Sequence, residues 1–144
     1  MGDRRTVLAA LKTILEEITE ISTVVRVYLE ADFDITQYTV ASLPLVAIPE
    51  PLEETEKEMT SQRSIMTLVT RLVVYFVDWA IDPDSALYET LVKRIRDKIG
   101  VNFTLNNTAT ETRVMSVSSV LGTMPIYNFM IDLEMRYYLS EQAT

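Results

Sequence analysis

The sequence predicts an α+β domain in which a mixed or antiparallel β-sheet packs against two main α-helices. Two segments, one near the N-terminus and one after residue 80, repeat their apolar residues every three or four positions, as amphipathic helices do. Several other segments alternate apolar and polar residues, which is the period of a strand. The elements follow the order α-β-β-β-α-β-β without an internal repeat, and this order favours the α+β class.

The length and composition are those of one globular domain. The chain has 144 residues, of which 48% are hydrophobic and 24% are charged. We therefore treat residues 1–144 as a single domain that is large enough to bury a core. The longest apolar run, LVVYFV, is far shorter than the ~18 residues of a membrane-spanning helix, so no membrane partner is expected.

The first helix is predicted over residues 3–21, where Asp3 can cap the first turn and one apolar stripe runs from Val7 through Ile18 to Ile21. Its charges oppose the helix dipole, because basic residues lie at the positive end and acidic residues near the negative end. Each mismatch costs roughly 0.3–1 kcal/mol at low salt. Either packing tolerates these charges or they face a partner, which makes them candidate interface residues. They are Arg4, Arg5, Glu16, Glu17 and Glu20.

Two short strands are predicted next, over residues 23–30 and 43–48. Pro44 places the second at a strand start or at a sheet edge, because proline has no backbone donor. Asp32 and Asp34 lie in the polar segment between the two strands. No second carboxylate cluster completes a metal site with them, so we interpret both as turn formers.

Residues 48–62, IPEPLEETEKEMTSQ, have no apolar face at the period of a helix or of a strand. We predict a long, flexible acidic loop, because such a charged segment stays disordered until a complementary surface orders it. Loops of this length in compact domains are usually functional or disordered. One interpretation is a docking element, and the other is a solvated insertion without a role. The glutamates of this segment are Glu50, Glu53, Glu54, Glu56 and Glu58.

A single long strand is predicted over residues 64–79, where residues on both sides are largely apolar. Fully extended, it would reach about 50 Å at ~3.3 Å per residue, far more than a usual strand. The strand therefore either bends or leaves the domain as an arm.

Residues 81–100 form the clearest predicted helix. Asp82 and Pro83 suit its start, Leu91 lies at the centre of its apolar stripe, and Gly100 suits a left-handed stop. Three further segments are predicted as strands: a brief pairing at 103–105, then 112–121, and finally the regularly alternating 125–139.

Residue types that most catalytic sites need are missing. The chain has no cysteine and no histidine, which excludes thiolate ligands, cysteine nucleophiles, imidazole bases and nearly all zinc sites. Its three glycines are isolated, so no glycine-rich phosphate loop can form. We expect no catalytic residue, no metal and no cofactor. An enzyme that uses only carboxylates stays open, although no spacing singles out a pair.

The formal net charge of −8 argues against specific nucleic-acid binding, which needs a concentrated basic face. One basic cluster occurs in the second helix, and we interpret it as a solvated helix face. Its members are Lys93, Arg94, Arg96 and Lys98. A partner with an exposed cationic surface is the better expectation.

The order of the elements, with particular residues at their junctions, resembles the tail-terminator (tail-completion) proteins of long-tailed bacteriophages. The likeness extends from about Thr6 to Tyr138. It rests on the segments VLAALKTILEEI, VVRVYLE, LPLVAIPEP, DPDSALYETLVKRIRDKI and PIYNFMIDLEMRYY, together with the long strand that precedes the second helix. None of these segments is a signature motif, and their succession carries the resemblance.

The resemblance implies a structural protein without catalytic residues. Members of this family form a ring, usually hexameric, on the last ring of the tail tube, stop its polymerisation and present a surface to the head–tail connector. A homo-oligomer is therefore implied, with the tail tube protein, the connector and, in a contractile tail, the sheath protein as partners. The implied location is the virion tail or neck, after assembly in the host cytoplasm. Another neck or head-completion protein, and a cytosolic α+β adaptor for a basic partner, are the alternatives.

Overall fold

The computed structural model describes residues 3–28, 33–60, 63–79, 86–123 and 125–140, which form two α-helices and seven strands. The helices are α1 (Arg4–Glu16) and α2 (Ala86–Val101). The strands are β1 (Thr23–Arg26), β2 (Leu45–Ile48), β3 (Glu53–Thr60), β4 (Arg63–Val77), β5 (Glu111–Val117), β6 (Leu121–Thr123) and β7 (Ile126–Ser140). Two single-turn 3₁₀ helices, Ile35–Gln37 and Val40–Ser42, lie between β1 and β2.

All seven strands belong to one mixed sheet of the order β1-β2-β4-β7-β5, in which β3 lies beside β4 and β6 lies beside β7. β1 and β2 run parallel, whereas every other pair is antiparallel. The predicted α+β class is confirmed, and the elements follow roughly the predicted order. β3 and β6 are strands that the prediction did not contain.

The longest pairing joins β4 to β7, from Arg63 opposite Ser140 to Val77 opposite Ile126. All 15 residues of β4 have a partner on β7. No part of β4 therefore leaves the sheet as an arm.

Both helices pack on the same face of the sheet and enclose the main core. α1 contributes Val7, Leu8, Leu11, Ile14 and Leu15, and α2 contributes Leu91, Ile95 and Ile99. The sheet contributes the alternate residues of β4 and β7, among them Leu68, Leu72, Val74, Phe129, Ile131, Leu133 and Met135. This one-sided burial follows from the alternation of side chains along a strand.

The opposite face of the sheet is covered at one end. The segment that precedes β2 packs Phe33 and Leu43 against a small cluster of Leu45, Ala47 and Val73. The remainder of this helix-free side, on β3, β4, β7 and β5, is here called the open face.

Two early elements are shorter than predicted. α1 ends at Glu16 and not at residue 21, because the amides of Glu17 and Ile18 bond carbonyls three residues earlier in a tight turn. Ile18 and Ile21 are still buried in the main core, so the apolar pattern predicted their contacts although not their conformation. β1 ends at Arg26 and not at residue 30, and residues 29–32 lie outside the described part of the chain.

Asp34 is a turn former, as predicted, because its carboxylate accepts hydrogen bonds from the amide and the hydroxyl of Thr36. Asp32 lies outside the described residues. Pro44 directly precedes β2, which agrees with a strand start. β2 itself is not an edge strand, since it lies between β1 and β4.

The end of the second helix also differs from the prediction. α2 continues through Gly100 to Val101, and the left-handed residues come later, at 105–107, with φ of 47°, 57° and 66°. Residues 103–105 therefore belong to a turn and do not form a strand. The predicted first residues of this helix, Asp82 and Pro83, lie outside the described residues.

The predicted strand at 112–121 ends at Val117 in β5, and Leu121 is the one predicted residue that lies in β6. The register of β5 with β7 shifts at a bulge between Val114 and Ser116. Gly122 lies in β6 with a φ of 111°, and a Cβ there would lie 2.7 Å from the carbonyl oxygen of Ile126. The tight approach of β6 to β7 therefore requires glycine at this position.

The largest correction concerns the predicted flexible loop at 48–62. Residues 53–60 form β3, which pairs with β4 from Glu53 opposite Val69 to Thr60 opposite Arg63. The loop prediction is wrong over these residues, while residues 61 and 62 lie outside the described part of the chain. Hydrogen bonds between backbone groups hold this segment beside β4. Because these bonds do not depend on the side chains, the segment forms a strand without apolar alternation in its sequence.

Truncation of Leu91 tests how α2 packs on the sheet. Leu91 is 0% exposed, so Leu91→Ala should lower the free energy of unfolding by about 2–5 kcal/mol. Val101→Ala is the control, because Val101 lies at the end of the same helix and is 80% exposed. We expect the control to change stability by less than about 0.5 kcal/mol. Equal urea midpoints for both variants would contradict the packing described here.

Candidate interaction surface

β3 is an acidic strand at an edge of the sheet. Among the described residues it pairs with β4 alone, so the backbone N–H and C=O groups on its other side have no strand partner. Glu54 and Glu56 lie opposite the buried Leu68 and Met66, which places them on the helix side of the sheet. Glu53 pairs with Val69 and therefore lies on the open face. The predicted acidic loop grouped these carboxylates together, whereas the strand places them on two opposite faces of the sheet.

Glu54 anchors α1 to β3. Its carboxylate bonds the guanidinium of Arg4 at 2.9 Å and accepts a hydrogen bond of 3.5 Å from the hydroxyl of Tyr137. Burial, and then the negative charge of Glu54, raises the pKa of Tyr137 to about 12. Arg4 at the positive end of the helix dipole is therefore explained by a contact within the chain.

Glu50 also has a partner within the chain, because Arg26 on β1 bonds its carboxylate at 3.0 Å. The Glu50 amide bonds the carbonyl of Tyr28, so the segment after β2 is held beside β1 by backbone and side chain together. Two of the five candidate glutamates, Glu50 and Glu54, thus have structural roles.

The acidic residues near the end of α1 contact basic residues nearby. Glu16 bonds Lys12 at 3.3 Å. Glu17 and Glu20 bond the second helix, at 2.9 Å in both cases, through Lys98 and Arg94 respectively. These pairs explain the charges that oppose the dipole, and exposed pairs of this kind contribute about 0–1 kcal/mol each. The basic cluster of α2 is therefore partly engaged with α1.

Three candidates remain exposed without an ion pair to any described residue. Glu53 and Glu56 lie on β3, and Arg5 lies in the first turn of α1. Arg5 lines a wide, open cleft with Arg26 and Glu50, where opposite charges are mixed. The side chain of Glu58 lies outside the described part of the chain, although its backbone pairs with Ser64.

β3 extends beyond β5 at the same end of the sheet. Thr55 pairs with Thr67, Thr67 with Arg136, and Arg136 with Glu111, the first residue of β5. Residues 56–60 of β3 therefore have no β5 residue level with them across the sheet.

The open face carries a network of charges that the sequence analysis did not identify. Arg71 bonds Asp132 through two contacts of 2.8 and 3.2 Å, and hydrogen bonding by this guanidinium lowers the pKa of Asp132. Arg113 and Arg136 both bond Glu134 at 3.2 Å. The alternation of β7 showed which residues are polar, but their partners come from strands distant in sequence.

Among the residues that the structure describes, no group of three or more carboxylates is placed to hold a metal ion. No described helix combines the length and the apolar character required to cross a membrane. The surface formed by the described residues thus consists of strand edges and charged faces. No protein-family model matches the chain, and no curated protein matches it in sequence.

The raised pKa of Tyr137 predicts a loss of stability in alkali. The folded-state pKa of about 12 lies above the ordinary value of 10.0, so the neutral phenol stabilises the fold fully below pH 10. This contribution is lost as the pH rises from 10 towards 12. We expect the free energy of unfolding to fall more steeply over this range in the wild type than in Tyr137→Phe, as measured by chemical denaturation.

Tyr28→Phe is the control for this measurement, because Tyr28 is 79% exposed. It should keep the slope of the wild type. If Tyr137→Phe and the wild type lose stability in parallel, the buried phenol does not contribute as described.

Proposed function

We propose that this protein is a structural component of a bacteriophage virion that caps the tail tube. In this role it forms a ring on the last ring of the tube, terminates polymerisation and joins the tail to the head–tail connector. It acts without a catalytic residue, cofactor or metal.

The observation that carries this proposal is the end of the sheet formed by β3-β4-β7-β5. Among the described residues, neither β3 nor β5 has a second strand partner, so this four-stranded part has an open edge on each side. A ring of identical subunits needs two different, mutually complementary surfaces on each subunit. Opposite edges of one sheet provide such a pair of surfaces, and this supports a ring-forming role.

The acidic part of β3 supports a second contact, with the tail tube. Glu56 is exposed, and residues 56–60 extend past the level at which β5 begins. If β5 of the next subunit pairs along β3, it does not reach residues 56–60, and these residues stay uncovered. This end of β3 has two carboxylates, Glu56 and Glu58, against one lysine, Lys57. Such a surplus of negative charge attracts a cationic rim, and this attraction acts mainly on encounter and specificity.

The nearest alternative is another ring of the neck, such as a head-completion protein, because the same two edges would serve it equally. A cytosolic adaptor for a basic partner shares the acidic surface but has no need for two complementary edges. Position and tube-capping activity separate these possibilities.

The proposal is tested with the tail tube protein encoded by the same phage genome. Tube protein is polymerised with and without the purified chain, and tube lengths are measured by electron microscopy. We expect shorter tubes with the tagged protein at one end as a closed ring. Unchanged lengths, with no tag at tube ends, would refute a terminator, while a tag found at the head portal would favour a head-completion protein.

Glu56→Gln/Glu58→Gln tests the tube contact without disturbing Glu54. The melting temperature should stay close to that of the wild type, because Glu56 is exposed and an exposed carboxylate contributes little to stability. Capping should require more protein and should lose part of its salt dependence, which arises from charges screened over ~8 Å at physiological strength.

The matched control is Glu16→Gln/Glu89→Gln, which removes the same charge from exposed positions on the two helices. This control should cap tubes as the wild type does. If the β3 variant also caps normally, these glutamates are solvated surface and the tube binds elsewhere.

A further inference from the structure

The edges of the four-stranded end that have no strand partner among the described residues lie level with each other over three residues. One row runs from Glu53 through Val69 and Glu134 to Arg113. The next two rows join Glu54 to Thr112 and Thr55 to Glu111 through the same intervening strands. The rows therefore relate residues 53–55 at the β3 edge to residues 111–113 at the β5 edge.

The directions of the strands are also compatible with pairing between copies. β3 is antiparallel to β4, β4 to β7, and β7 to β5, so three reversals make β3 and β5 antiparallel to each other. A second copy placed beside the first in the same orientation would set its β3 antiparallel to β5. Antiparallel ladders are slightly more stable per residue than parallel ones.

We propose that β5 of one copy pairs with β3 of the next, with Glu53 opposite Arg113. This inference rests on the ring of the proposed function and names the surfaces that build it. The occupant of each edge is a second copy of this chain. A neighbouring copy that the rotation of the ring places beside this edge, without a shift in level, brings together the residues that now end each row.

Charge complementarity supports this register. Glu53 and Arg113 both lie on the open face, because residues in one row across a sheet share a face. The Arg113 side chain is 57% exposed and bonds Glu134 through Nε at 3.2 Å. A guanidinium has five N–H donors, so a second carboxylate can bind it. In the adjacent row, Glu54 meets the uncharged Thr112, and in the row after it Glu111 meets the uncharged Thr55, so no like charges lie directly opposite each other.

Each of the two edges also has an exposed apolar side chain beside the residues proposed to pair. Leu52, next to Glu53, is 58% exposed, and Met115, two residues beyond Arg113, is 49% exposed. In the proposed contact, both side chains lie near the boundary between the two copies. Pro51 has no backbone donor and ends the ladder on that side, so the pairing is short. A short ladder is suited to a ring that closes only on its tube.

The chain has no cysteine, so disulfide trapping tests this pairing directly. In Glu53→Cys/Arg113→Cys the two thiols of one copy lie three strand spacings apart, about 14 Å, and cannot join. Across the proposed boundary their Cβ atoms lie about 4.5–5.5 Å apart. We expect oxidation to give dimers, trimers and higher species up to a closed ring on a non-reducing gel.

Two controls separate the proposed pairing from random disulfide formation. Each single cysteine variant can form dimers at most. Glu53→Cys/Arg96→Cys, with the second thiol on the exposed face of α2, should not give a ladder. Because oxidation traps weak encounters, a double variant at 53 and 113 that forms no more than this control overturns the proposed pairing, whatever the oligomeric state.

Tube capping by the wild type separates this inference from the function on which it rests. A ladder together with unchanged tube lengths refutes the terminator role and leaves the strand pairing in place. Capped tubes without a ladder refute the pairing and leave the terminator role in place.

Discussion

The antiparallel pairing of β4 with β7 is the contact on which the rest of this structure depends. Four of the other five strands attach to this pair, β2 and β3 to β4, and β5 and β6 to β7. Both helices rest on its apolar side, where the alternate residues are almost fully buried. Burial of each large apolar side chain contributes about 1.5–3 kcal/mol, so this shared face supplies most of the driving force for folding.

The lengths of these two strands also determine where the sheet stays open. β4 and β7 have 15 residues each, whereas β2 has four and β5 has seven. β2 occupies the last part of one side of β4 and β3 occupies the first part, so two strands share this side. The edges of β3 and β5 are left without a partner in the described residues. A row of glutamates on one of them discourages indiscriminate pairing, since charged side chains protect exposed edges.

Charges at α1 illustrate how the surface of this domain is organised. The helix begins with arginines and ends with glutamates, which its own dipole disfavours. The fold offsets this cost with contacts from other elements, because Arg4 meets Glu54 of β3, while Glu17 meets Lys98 of α2. Most charges at the ends of α1 thus have their partner within the domain, whereas Arg5 has no ion pair to a described residue. Among the described side chains, Glu53 and Glu56 are the acidic candidates left exposed.

The α+β class, the two helices, the long strands and many of the core residues could be predicted from the sequence alone. These follow from periodic burial, which is a local property: Leu91 and Phe129 lie in the core because their spacing places them on an apolar face. Ile18 shows the limit, since its burial was predicted correctly and its helical conformation was not.

The folded structure was needed to show that residues 53–60 form a strand and which glutamates have structural roles. It also showed which residues end the same row of the sheet. An edge strand takes its conformation from hydrogen bonds to a neighbour, so β3 needs no apolar alternation of its own. The alignment of Glu53 with Arg113 depends on three successive registers between strands distant in sequence. Register is a property of paired strands, and a single chain segment does not contain it.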